Sequence, residues 1–173
     1  DLHHGEDAVM LDRAMSISVD LPDRKYEMIE LTGAWARERS VKKRKLEHGI
    51  QAVYSMRGCS SHNYNPFLAL KRAQTTEDSG EVLGFSLVYS GNFLAQAEVD
   101  TYDVTRVTLG IHPECFQWKL EKNESFQTPE AVMVYSEEGL NGMSQVFHEL
   151  YRTRLARGKW RDRVRPILIN KIG

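Results

Sequence analysis

An antiparallel β-sandwich with one C-terminal α-helix is the fold class this sequence predicts. Three observations carry the prediction. Apolar side chains recur at every second residue almost everywhere up to residue 135. Polar turn residues separate these short runs, with no helical stretch between them. The spacing changes once, near residue 140, to that of a helix. Parallel α/β sheets need helices between their strands, so the unbroken alternation argues against them.

The elements follow in order. AMSISVDL sets Met15, Ile17, Val19 and Leu21 against Ala14, Ser16, Ser18 and Asp20, one face apolar and the other small or polar. The LPD turn then leads into a second strand, YEMIEL. GAWARERS, residues 33–40, places Trp35, Arg37 and Arg39 on one face if it is extended. That face reads either as a Trp half-buried at a domain contact with Arg heads in water, or as a binding platform. VKKRKLEH, Val41 to His48, clusters positive charge without interleaved aromatics; it reads as a solvated loop or the guard of an edge strand. His62, Asn63 and Asn65 before Pro66 form a polar loop. It reads as a turn satisfied by its own Asn side chains, with hydrogen bonding to sugar hydroxyls as the alternative.

VLGFSLVY aligns Leu83, Phe85, Leu87 and Tyr89, and FLAQAEV aligns Phe93, Ala95, Ala97 and Val99. Ser90-Gly91-Asn92 between them tolerates positive φ, so the two strands are expected to form a hairpin. RVTLGI and FQWKLE continue the alternation with Val107, Leu109 and Ile111, then Phe116, Trp118 and Leu120. Leu140, Met143, Phe147, Leu150, Tyr151 and Leu155 lie on one helical stripe. Ser136 is the expected N-cap with Glu137 and Glu138 in the first turn, while Arg152, Arg154 and Arg157 crowd the last turn before a C′ glycine, Gly158. GKWRDRVRP reads as a linker. Ile167, Leu168 and Ile169 read as the start of a strand buried on both faces, which points to a further domain.

With 173 residues and 41% apolar composition, the chain suits one well-buried domain. A formal charge of −1 gives no global pull toward nucleic acid or membrane, and neither partner is expected. No stretch reaches the roughly 20 apolar residues needed to span a bilayer. Cys59 and Cys115, the only cysteines, lack metal-ligand spacing, and a reduced, cytoplasmic protein is the expectation. His3 and His4 beside Glu6 and Asp7 are adjacent instead of spaced, so no metal is assigned to them. The start, DLHHGEDA, has no initiator Met and begins in mid-pattern, as expected of a piece of something longer.

LTGAWARER, RGCSSHNYNPFLAL, GEVLGFSLVYSGNFLAQAEVD, ESFQTPEAVMVYS, EGLNGMSQVFHELYRTRLARG and RDRVRPILIN resemble consecutive blocks of the bacterial α-galactosidases of glycoside hydrolase family 36. The resemblance covers nearly the whole chain in the family's order. It implies the later part of an N-terminal β-supersandwich, related in fold to galactose mutarotase, over residues 1–136. A linker helix over 137–158 follows, then a linker and the start of an absent (β/α)8 barrel over 159–173. The family continues past ILIN with Asn-Trp-Glu, whereas this chain reads Lys171-Ile172-Gly173.

The resemblance also implies roles. Retaining glycosidases need two carboxylates about 5 Å apart, and in this family both are Asp residues of the barrel, so no catalytic residue is assigned here. Trp35 is similar to a Trp that lies against bound galactose, which makes it a substrate-binding candidate, with Arg37 and Arg39 beside it. An indole suits the apolar C–H face of a pyranose and guanidinium groups suit its hydroxyls. Glu38, between two arginines, is expected to be ion-paired and structural, because positive neighbours lower a carboxylate pKa while a general acid needs it raised. No cofactor is implied. The partners implied are an α-galactoside, the barrel and further copies of the chain, since the family is commonly tetrameric. Two alternatives stand beside this reading. A free-standing mutarotase-like epimerase would bring one of His62, His112 and His148 to a carboxylate in a cleft. A carbohydrate-binding module would hold sugar without any barrel.

Overall fold

The computed structural model of the protein describes residues 8–114 and 116–169. The expectations placed on His3, His4, Glu6, Asp7, Cys115 and Lys171 to Gly173 lie outside them. The strands are β1 (Val9–Leu11), β2 (Met15–Leu21), β3 (Glu27–Ala34), β4 (Arg37–Lys45), β5 (Gly49–Ser55), β6 (Tyr64–Lys71), β7 (Val82–Val88), β8 (Phe93–Val99), β9 (Thr105–Ile111), β10 (Trp118–Leu120) and β11 (Glu130–Ser136). Helix α1 (Gly139–Leu150) follows. A five-stranded antiparallel sheet runs β11-β7-β6-β3-β4, a four-stranded one runs β2-β9-β8-β5, and β1 pairs with β10 as a small flap.

The period-2 alternation fills the space between the two larger sheets. Met28, Leu68, Leu83, Phe85 and Leu87 point inward from the five-stranded sheet against Val53, Phe93, Ala95, Val107 and Leu109 from the four-stranded one. The intervening residues of β3, β6, β7 and β11, among them Ile29, Ala69, Val82 and Val134, point outward and meet Met143 and Phe147 of α1. β7 is therefore buried on both faces. Gly84 sits under the helix because a Cβ there would come within 2.6 Å of Met143 Sδ and of the Phe147 ring.

The expected hairpin of residues 82–89 with 93–99 does not form. β7 pairs with β6 and β11, β8 pairs with β5 and β9, and Ser90-Gly91-Asn92 arches from one sheet to the other. The local turn chemistry was compatible with both outcomes. What decides is that β7 needs cover on two faces, which a place in the five-stranded sheet under α1 provides and a place beside β8 does not.

Both expected ends of the helix also shift. Ser136 is the last residue of β11, and its hydroxyl accepts from the Glu138 amide at 3.1 Å instead of capping the helix. Glu138 holds the N-cap position without a side-chain cap, and Glu137 and Glu138 precede the first turn. The orphan amides find backbone partners from a distant loop: Leu140 N–H donates to the Thr76 carbonyl at 3.2 Å and Asn141 N–H to the Glu77 carbonyl at 2.8 Å. At the other end α1 passes into a π-helical turn, Tyr151–Leu155, and Ala156 is extended. Gly158, with φ of +67°, begins a short 3-10 turn instead of serving as C′. The basic stretch after it is exposed, as are Ile167, Leu168 and Ile169, which form no strand here.

Candidate functional site

Trp35 is not in a strand. β3 and β4 form a hairpin whose ladder closes at Ala34 opposite Arg37, leaving Trp35 and Ala36 as the turn. Ala36 takes a φ of +61°. The ring projects beyond the sheet edge and is 83% exposed. The shared face expected for Trp35, Arg37 and Arg39 is therefore corrected twice. The turn removes Trp35 from the strand, and a bulge separates the arginines. Between the pairs Ala34–Arg37 and Thr32–Ser40, the single residue Gly33 opposes both Glu38 and Arg39, and Arg39 has a φ of +58°. Arg37 and Arg39 are both exposed.

Arg39 lines a groove on the outer face of the five-stranded sheet. Its floor includes Ile29, Leu31 and Phe67, and α1 forms its far wall with Leu140 and Met143, enclosing about 1020 Å³. Val41 and Lys43 line the same groove from β4. They belong to the run expected to guard an edge strand, and β4 is that edge, exposed along its whole length. Arg44 reaches the buried Glu30 at 2.6 Å.

Glu38 is structural, as expected, but through a backbone bond and not an ion pair. Among the described residues it forms no salt bridge with either neighbouring arginine; its Oε1 accepts from the Ala36 amide at 2.9 Å and so holds the turn behind Trp35. The base of the hairpin is held from outside. Gly33 N–H donates to the Asn63 carbonyl at 3.0 Å, and Asn63 Nδ2 returns a bond of 3.4 Å to the Gly33 carbonyl. Arg57 Nη1 donates to Asn63 Oδ1 at 2.9 Å. A Cβ at Gly33 would lie 2.8 Å from the Arg37 carbonyl oxygen and 2.9 Å from that of His62, so only glycine permits this close crossing. The His62–Asn65 loop, expected to be a turn satisfied by its own Asn side chains, instead has its Asn63 amide bonded to Ser61 Oγ at 3.2 Å, while the Asn63 side chain reaches out to Gly33 and Arg57. That grip on another hairpin left no mark in local spacing.

Among the described residues none of His62, His112 and His148 is bonded to a carboxylate. The His112 ring nitrogen Nδ1 accepts from the Glu114 amide at 3.2 Å. His48 does meet Asp103, at 2.9 Å, a pair that a separation of 55 residues hid from the sequence. Both side chains are about half exposed, and Arg24 Nε sits 2.8 Å from the same Asp103 oxygen. That one oxygen is thus shared between the His48 ring and the Arg24 guanidinium. Nearby, the Arg72 guanidinium bonded to Asp23 at 2.7 Å holds that carboxyl below the usual carboxylate range, and burial pushes the Tyr26 phenol up. Among the described residues no group of three or more His, Cys, Asp or Glu is arranged to hold a metal. No helix among them is long and apolar enough to cross a membrane.

A sandwich that presents the Trp35 indole at a hairpin tip has kin among known proteins. Residues 2–121 match the glycosyl hydrolase family 36 N-terminal domain, and residues 125–172 match the melibiase family. The chain is 60% identical over 166 residues to the alpha-galactosidase AgaA of Geobacillus stearothermophilus, covering 96% of this chain and 23% of that protein. It is 47% identical over 168 residues to the alpha-galactosidase Mel36A of Lactobacillus acidophilus, covering 97% of this chain and again 23% of the relative. The chain thus spans under a quarter of the length of these relatives. A crystal structure of an AgaA variant in complex with stachyose superposes with a TM-score of 0.91 over 94% of this chain and 23% of that one. The match to a single domain family over residues 2–121, with the same fold at 60% identity, means that the chain belongs to the glycosyl hydrolase family 36 N-terminal domain family.

Proposed function

We propose that this chain is a non-catalytic part of a retaining α-galactosidase that removes terminal α-galactosyl residues from oligosaccharides, and that Trp35 stacks on the galactosyl ring in the assembled pocket. The observation that carries the reading is the 83% exposure of the Trp35 ring at a hairpin tip. An indole left in water costs hydrophobic free energy that a sandwich core would recover, so its place at the tip favours a ligand as its partner. Arg39, on the groove side of the hairpin, is suited to hydroxyl or backbone contacts with the barrel, and Arg37 to the substrate side. The carboxylate pair of the reaction belongs to the barrel in this reading, as the resemblance to the family implies. The exposed Ile167, Leu168 and Ile169 suit the first barrel strand, and with the open β4 edge they favour association between copies. The assembled enzyme is cytoplasmic in this reading.

The test uses an enzyme in which this sequence replaces the matching segment of the Geobacillus stearothermophilus relative. Trp35→Ala there is expected to lower kcat/KM for an α-galactoside by several-fold to tenfold, about 1 kcal/mol of stacking, with Tm unchanged. The 173-residue chain alone is expected to give no hydrolysis of an aryl α-galactoside above buffer. Wild-type kinetics in Trp35→Ala, or turnover by the chain alone that survives repurification, would sink the proposal.

A further inference from the structure

The hairpin that carries Trp35 is gripped in a way its own ladder does not require. A two-residue turn on a bulged, exposed edge strand is normally a mobile loop tip. Here three contacts converge on it. Glu38 Oε1 accepts from the Ala36 amide, one residue past Trp35, at 2.9 Å. Asn63 holds both backbone polar groups of Gly33, through its own carbonyl at 3.0 Å and its side-chain Nδ2 at 3.4 Å. Arg57 orients the Asn63 amide from behind at 2.9 Å, which also assigns Nδ2 as the group facing Gly33.

The loop that supplies Arg57 and Asn63 is itself tied to the opposite sheet. Ser55 Oγ donates to the Cys59 carbonyl, Gly58 N–H donates to Asn92 Oδ1 at 2.7 Å, and Ser60 N–H donates to the Ser90 carbonyl at 2.8 Å. A chain of hydrogen bonds thus runs from the arch between β7 and β8, through the 55–63 loop, to the base of the Trp35 hairpin. Gly33 completes it, because any Cβ there would push the 62–63 backbone off the hairpin.

We propose that Glu38 and Asn63 are positioning residues for Trp35: the first locks the turn behind the indole, and the second, oriented by Arg57, sets the angle at which the hairpin leaves the sheet. This rests on Trp35 being a wall of the galactose pocket. It adds that the stacking geometry is set in advance, before any sugar arrives. Preorganisation matters because stacking on a ring that must first be ordered loses part of its benefit to conformational entropy.

Two measurements separate this inference from the reading beneath it. In the 173-residue chain, Trp118→Phe and Trp160→Phe leave Trp35 as the sole indole, and its time-resolved fluorescence anisotropy reports the motion of the tip. Glu38→Ala and Asn63→Ala are each expected to raise the amplitude of the fast, nanosecond depolarisation at least twofold with Tm unchanged. Glu38→Gln keeps an acceptor for the Ala36 amide and is expected to restore the wild-type decay. Unchanged anisotropy in the folded Ala variants overturns the inference. So does a rise accompanied by lost amide-exchange protection throughout both sheets, for then the residues only support the fold. In the chimeric enzyme the same Ala variants are expected to raise KM about threefold to tenfold with a smaller change in kcat, and Glu38→Gln to recover most of it. If Trp35→Ala leaves the kinetics unchanged while the anisotropy responds, the pocket reading fails and the bracing stands. If Trp35→Ala is impaired and the anisotropy is silent, the bracing fails alone.

Discussion

The outer face of the five-stranded sheet has two halves that share one hydrogen-bond ladder and little else. Over β7 and β11, helix α1 brings Met143 and Phe147 onto Val82 and Val134, all buried as deeply as the sandwich interior. Over β4, at the far edge of the same sheet, every residue is exposed and Val41 is 55% accessible. Each half ends in an edge strand paired on one side only, β11 and β4, so pairing does not decide burial; what lies across the face does. The covered half spends its face on stability. The uncovered half leaves a groove, a row of cations and the Trp35 hairpin open to whatever meets them.

The largest test of this contrast is Phe147→Ala. Removing the ring, which packs edge-on to Phe67 at 5.9 Å and stacks with Tyr151 at 5.8 Å, is expected to cost about 3–5 kcal/mol and lower Tm by roughly 6–20 °C. Val41→Ala on the open half is expected to cost less than about 0.5 kcal/mol. Equal losses in thermal melts would mean that the helix is not what distinguishes the halves.

A smaller loss is expected where the helix docks. Gly139 has a φ of +65°, and a Cβ there would lie 2.6 Å from the Thr76 carbonyl oxygen and 2.7 Å from that of Glu77, the carbonyls that receive the Leu140 and Asn141 amides. Gly139→Ala is expected to cost about 1–3 kcal/mol in denaturant unfolding. Amide exchange of α1 should accelerate ahead of that in the four-stranded sheet; uniform acceleration would show that the covered half is not a separable unit.

Acid is expected to act next, and at the covered end. Arg72 joins Asp23 at 2.7 Å to Glu81 at 2.9 Å, tying the β2–β3 connection to the loop that receives the helix. Because the folded Asp23 carboxyl is held below its usual value by that guanidinium, the stability it contributes is complete above about pH 4 and falls away as pH drops through the lowered folded value. In Asp23→Asn the loss of stability between pH 5 and 3 should be shallower than in wild type. Parallel curves would remove Asp23 from the account. The smallest effect is reserved for Trp35→Ala, expected to change stability by less than about 0.5 kcal/mol, because an exposed side chain has little packing to lose. A Tm drop of more than a few degrees would make the ring a packing residue.

Much of this was legible in the residues. The alternation in AMSISVDL, FLAQAEV and RVTLGI named the inward faces of β2, β8 and β9, since a period of 2 has one reading when one face is buried. The stripe through Met143 and Phe147 named the buried side of α1. The site was less legible. Trp35 stood out by composition, yet its place in a turn did not, because no Gly or Asn marked the turn and Ala36 carries the positive φ. Asn63 and Arg57 looked like ordinary loop residues. His48 and Asp103 lie too far apart in sequence for spacing to join them.

By itself, then, the sequence determined which residues alternate, where strands give way to helix and which side chains seek cover, because those follow from local geometry and hydrophobicity. Tertiary structure alone decided which strands became neighbours. β7 left the hairpin its turn allowed, since only the five-stranded sheet under α1 could cover both its faces. The helix began at Gly139, with Glu138 and not Ser136 in the N-cap place, because carbonyls of Gly80, Thr76 and Glu77 took its first three amides. The Trp35 hairpin took its direction from Asn63, 30 positions from the Gly33 it grips, and no local rule spans that distance. Pairing and docking are contests between distant segments for the same buried surface and the same hydrogen bonds, and only the folded chain holds all the contestants at once.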